Sequence, residues 1–193
     1  MRLRFPARLI RATALAGAVA LSLGLAGCGK ENNPTSAEND GVYEQAGNVT
    51  YQLELSRQLN QYSTEDSQYV KGLPTTDQTL GPSALWYGVF LWAKNQTKSP
   101  QRTTADFDIV DTEGHHYQPI PLNTSLNPFA WTARTLQPDG IEPAESTIAA
   151  NGPTQGGLLL FKLNESVYSD RPLTLEIRSP TTNRVEATIS LDL

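Results

Sequence analysis

Apolar and polar residues alternate along this chain at a spacing of two, and that period restricts what it can fold into. Val49, Tyr51, Leu53 and Leu55 alternate with Thr50, Gln52, Glu54 and Ser56, and Phe107 and Ile109 with Asp106 and Asp108. Leu173, Leu175 and Ile177 alternate with Thr174, Glu176 and Arg178; Val185, Ala187, Ile189 and Leu191 alternate with Glu186, Thr188, Ser190 and Asp192. Successive side chains of a strand point to opposite faces, so these stretches predict antiparallel strands with one dry and one wet face. The runs Leu85–Ala93 and Leu158–Leu163 are apolar on both faces. They must be central strands, or strands whose outer face something else covers. Asp111-Thr112-Glu113-Gly114 between Ile109 and Tyr117 reads as a hairpin turn, with Gly114 suited to positive φ. No stretch sustains a 3.6-residue period. The expectation is an all-β antiparallel sandwich.

Cys28 is the only cysteine, so the folded part has no disulfide and must be held by packing. Residues 48–193 suffice for one domain that buries roughly two-thirds of its unfolded surface. Between Gly29 and Gly47 there is almost nothing to bury, which predicts a flexible tether over residues 28–47, spanning roughly 25 Å.

Upstream, Arg2, Arg4, Arg8 and Arg11 precede an apolar run from Ala14 to Ala26. A charged n-region and a short apolar h-region make residues 1–27 a secretory signal, too short and too rich in small residues for a permanent span. Leu25-Ala26-Gly27-Cys28 resembles the lipobox of bacterial lipoproteins. The resemblance implies cleavage before Cys28, a lipid (such as palmitate) on its thiol, and anchoring at the extracytoplasmic face of the cell membrane. Removing the four arginines from 15 basic residues leaves 11 against 20 acidic, a mature net charge of −9. Such an exterior argues against nucleic acid as a partner and against electrostatic adhesion to anionic lipid. The lipid anchor must supply the membrane affinity, durably if two chains are attached.

A second resemblance lies in three segments: Val89-Phe90-Leu91-Trp92-Ala93-Lys94-Asn95, the hairpin Asp106-Phe107-Asp108-Ile109-Val110-Asp111 through Tyr117, and Gly157 through Leu163. Their order is similar to an immunoglobulin-like domain-of-unknown-function family carried by many bacterial, notably Gram-positive, lipoproteins. The resemblance implies an immunoglobulin-like sandwich without established catalytic residues. The connection Asn60–Ala84 is longer than the compact family pattern.

The chemistry-bearing residues are sparse. Asp106, Asp108, Asp111 and Glu113 could in principle offer oxygen ligands to Ca²⁺, but acids near a hairpin more often form the turn. His115 and His116 are adjacent, point to opposite faces of a strand and cannot easily share one ion. No metal or other cofactor is therefore expected. Without a Gly-x-Ser-x-Gly elbow, and with the cysteine committed to the anchor, no enzyme activity is expected either. The aromatic side chains pose the sharper question. If Val89, Leu91 and Ala93 face the core, Trp86, Phe90 and Trp92 share the opposite face, which is either covered by the Asn60–Ala84 connection through Tyr62, Tyr69 and Leu73, or left open as a partner surface; the third alternative is the inverted face assignment. Phe129 and Trp131, in the second long connection Pro119–Gln155, either plug the sandwich or display a binding loop. Tyr62, Tyr69, Phe129 and Trp131 are accordingly the candidate partner-binding residues. The functional expectation is a lipid-anchored, non-catalytic binding or assembly module for an envelope protein or a cell-wall component. A small-ligand or metal-ion binding protein is the alternative, and an envelope hydrolase the third reading.

Overall fold

The computed structural model describes residues 35–37 and 43–191. In chain order the strands are β1 (Thr35–Ala37), β2 (Tyr43–Ala46), β3 (Val49–Leu59), β4 (Ala84–Asn95), β5 (Gln101–Arg102), β6 (Phe107–Val110), β7 (His116–Tyr117), β8 (Thr135–Leu136), β9 (Ile141–Glu142), β10 (Gly157–Asn164), β11 (Leu173–Arg178) and β12 (Val185–Leu191). A short α-helix, α1 (Ile148–Asn151), precedes β10. One sheet has the order β10-β4-β3-β2, with β9 also pairing β4; a second has the order β1-β12-β11-β6-β7, and β5 pairs with β8 apart from both. The connectivity is immunoglobulin-like. β3, β4 and β10 take the A, B and E positions, β6, β11 and β12 take C, F and G, and β7 lies beside β6 as a C′ strand.

The alternating residues face one another across the sandwich. Tyr51 and Leu53 of β3, Tyr87, Val89 and Leu91 of β4 and Phe161 of β10 pack with Phe107 and Ile109 of β6, Leu175 and Ile177 of β11 and Ile189 of β12. Trp131 closes this core: its ring meets Phe107 edge-on at 5.6 Å, and its indole N–H donates to the Thr104 carbonyl at 2.9 Å. The Tyr51 hydroxyl accepts from the Thr104 N–H at 2.9 Å, and burial pushes its phenol up to about 12.

A bulge between Leu53 and Leu55 corrects the simple alternation of β3. It places Leu55 opposite Phe90, against a second apolar cluster, where strict alternation would have kept it with Leu53. That cluster lies on the outer face of β3, β4 and β10. Leu59, Trp86, Phe90, Leu158 and Leu160 are covered there by Tyr69, Phe129 and Ala149 from the two long connections. Tyr69 sits edge-on to Phe90 at 5.0 Å and to Phe129 at 4.9 Å. Polar contacts fix the cover. Asp66 pairs with Arg57 at 2.6 Å and accepts from the Asn60 N–H at 2.8 Å. Burial raises the Asp66 carboxyl, but these two partners more than offset it and hold it below the usual carboxylate range. Asn127 joins the two connections by donating to the Tyr69 and Lys71 carbonyls. β10 is apolar on both faces, yet it lies at the end of its sheet. Its outward backbone groups are satisfied by the second connection, through Ile120 N–H to the Leu160 carbonyl and Trp131 N–H to the Leu158 carbonyl.

The expected tether over 28–47 is partly structured. Thr35–Ala37 pairs in parallel with β12, and Tyr43–Ala46 pairs antiparallel with β3. Glu44 and Ala46 are buried, and unsatisfied sheet edges draw in even a polar segment. Cys28 and the signal lie outside the described residues. Among the described residues no helix is long and apolar enough to cross a membrane.

Candidate functional site

The sandwich hairpin accounts for most of the acids singled out in sequence. The loop between β6 and β7 turns at Gly114, whose φ is +82°. Asp111 organises it: one carboxylate oxygen accepts from the Glu113 and His115 backbone N–H groups, the other meets His115 Nδ1 at 2.9 Å and the Tyr117 hydroxyl at 3.1 Å. Burial alone would raise this carboxyl, but those hydrogen bonds lower it below the usual range, and the same contact with Asp111 raises His115. His116 points the other way, towards Asp108.

Ligand-bearing atoms of Asp108, His116 and Glu176 lie within 4.8 Å of one another on the outer face of the β11-β6-β7 side. The β6–β11 register, with Glu176 opposite Asp108, brings them together. Arg178 already stands between the carboxylates, 3.1 Å from Asp108 and 2.5 Å from Glu176. A guanidinium neutralising two carboxylates occupies the position a cation would take, so the arrangement is that of an ion-pair network.

The candidate aromatic residues part company. Tyr69 is fully buried and Phe129 is 2% exposed. Neither can meet a partner, because both are spent covering the outer face of β4. Trp131 is half-buried against the main core, and only Tyr62, at 88% exposure, stands in solvent. The cover is real, but Tyr62 is not part of it.

It also stops short. Trp86 and Phe90 are sealed, whereas Trp92 on the same face remains half-exposed. Around it lies a groove of about 290 Å³ lined by Tyr43, Thr50, Gln52, Glu54, Trp92, Lys94, Ile141 and Gln155. Strand register produces it: Tyr43 of β2 is opposite Gln52 of β3, and Gln52 is opposite Trp92 of β4. The three therefore form a row across the strands, with Tyr43 64% exposed at one end. No described residue hydrogen-bonds the Gln52 or Gln155 amide or the Trp92 indole N–H. Aromatic surface beside unengaged donors and acceptors is the make-up of a binding site. A second groove of about 300 Å³, lined by Pro119, Ile120, Leu122, Ala130 and Trp131 among others, has only apolar side chains and nothing to orient a ligand. Trp92 was on the face flagged in sequence. Gln52 and Glu54 follow from the β3 alternation once β3 is known to pair with β4, and Tyr43 was hidden in the stretch read as tether.

No protein-family model matches the chain, and no curated protein matches it in sequence. Solved structures do match in fold. The YjhA protein of Bacillus subtilis is 11% identical with a TM-score of 0.54, the match covering 81% of this chain and 100% of that one. An uncharacterised β-sandwich protein of Clostridium difficile is 11% identical with a TM-score of 0.43, covering 85% and 98%. YcdA, a lipoprotein candidate of Bacillus subtilis, is also 11% identical, with a TM-score of 0.48, and the match covers 80% of this chain and 38% of that one. The fold is thus shared with YjhA despite widely diverged sequence.

Proposed function

We propose that this chain is a lipid-anchored protein of the extracytoplasmic membrane face whose sandwich is a non-catalytic binding module, engaging an envelope protein or cell-wall component through the Trp92 groove. The lipobox-like Leu25-Ala26-Gly27-Cys28 supports the address. The observation that carries the binding reading is the row Tyr43–Gln52–Trp92, left open where the covering connections stop. Its lining of two aromatic side chains, two amides, two hydroxyls and one charge of each sign is suited to holding a partner.

The test is in-cell photo-crosslinking. A photoreactive residue at Gln52 should capture an envelope component, and Trp92→Ala should abolish capture, while the same group at Thr174 on the other sheet should capture nothing. Equal capture from both positions would refute the site. For the address, Cys28→Ser should release or misprocess the protein, read by detergent partitioning and intact mass. Firm membrane retention of an unmodified Cys28→Ser protein would refute lipid anchoring.

A further inference from the structure

The lining of the groove also selects a chemical class of ligand, and this inference rests on the binding reading above. We infer that the groove takes an uncharged polysaccharide segment lying across β2, β3 and β4, with one sugar against Tyr43 and another against Trp92. A pyranose presents C–H groups on its faces and hydroxyls around its rim. Aromatic rings take the first, and side-chain amides, which both donate and accept, take the second. The groove supplies both in the right order. Gln52 lies between the two aromatic residues in the register, and Gln155 lines the same groove.

Spacing fits as well. Neighbouring strands are about 4.8 Å apart, so Tyr43 and Trp92, two strands apart, are separated by roughly 9.6 Å at the backbone. That is close to the repeat of a β-1,4-linked disaccharide, in which alternate sugars present the same face. The sugar between them would lie over Gln52. Glu54 and Lys94 contribute opposite charges that offset, which favours an uncharged chain over a phosphate polymer or an acidic peptide. A peptide adding as a strand would run along the edge of β2, parallel to the strands, whereas the row runs across them.

The experiment is isothermal titration calorimetry of the full-length anchored protein in detergent, with cellohexaose and chitohexaose as probes. Binding of either is expected. It should weaken by about tenfold or more in Trp92→Ala and in Tyr43→Ala, and largely survive in Trp92→Phe, which keeps a ring and guards against a folding artefact. Added salt should change affinity by no more than about twofold, because screening acts only on charged partners. Failure of both hexasaccharides to bind at millimolar concentration, binding indifferent to Trp92→Ala, or affinity that falls about tenfold or more with added salt would overturn the inference. If Gln52 crosslinks to a protein while neither sugar binds, the ligand class is wrong and the groove reading stands. If neither crosslinks nor sugar binding appear, both fall.

Discussion

Replacing Phe129 by alanine tests whether the two long connections are an integral second core or a loose wrapping. The side chain is 2% exposed and packs with Trp86, Phe90 and Tyr69 in the cluster outside β4. A buried Phe→Ala change costs about 3–5 kcal/mol through lost transfer energy and the cavity left behind. The edge-on pairing with Tyr69 at 4.9 Å belongs to the class of ring contacts worth about 0.5–1.5 kcal/mol beyond area. We therefore expect a loss of about 4 kcal/mol, a large part of the roughly 5–15 kcal/mol available to an ordinary domain. Urea denaturation followed by tryptophan fluorescence measures it, since Trp86 lies inside the cluster. Amide exchange adds the location: the N–H groups of Ile120, Trp131 and Leu158 bridge the second connection and β10, and should lose protection first. Tyr62→Ala, at 88% exposure, should stay within about 0.5 kcal/mol. An unchanged midpoint and unchanged protection in Phe129→Ala would refute the second core and reopen Phe129 as a displayed binding residue.

Three further outcomes are expected. Asn95 is fully buried and its amide donates to the Ser99, Leu136 and Gln137 carbonyls; Asn95→Asp should cost about 3 kcal/mol at neutral pH, with the melting temperature recovering in acid as the carboxyl regains a proton to donate. Gly156 has φ of +108° and its added Cβ would lie 2.9 Å from the Leu91 nitrogen, so Gly156→Ala should cost about 3 kcal/mol or more, whereas Gly114→Ala, at φ +82° but in open space, should cost only about 1–2 kcal/mol in the same thermal melts. Asp111 is lowered and His115 raised, so the carboxylate contribution is lost as pH falls through the folded Asp111 value, and the imidazolium contribution as pH rises through the folded His115 value. Protection of the β6–β7 hairpin by amide exchange should peak between those two limits, and Asp111→Asn should flatten the profile.

Alternation along the chain is enough to mark β6, β11, β12 and the first half of β3 as strands and to say which of their sides is dry. Period-two alternation in β6, β11 and β12 leaves one way to bury Phe107, Ile109, Leu175, Ile177 and Ile189, and the Asp111–Gly114 turn carries its own backbone chemistry. The doubly apolar runs also narrowed β4 and β10 to central strands or strands covered on their outer face. What covers them was decided by tertiary structure, because Tyr69, Phe129 and Ala149 come from segments without periodicity and meet only when β4 and β10 are paired. The bulge after Leu53 has no local signature, yet it moves Leu55 to the other face. The candidate site depends on register in the same way. Tyr43, Gln52 and Trp92 are unremarkable where they stand in the chain, and become a row only through the pairing of β2, β3 and β4. Side-chain chemistry is written residue by residue, but adjacency across strands is set by which residues hydrogen-bond opposite which, and that is fixed by the packing of the whole sandwich.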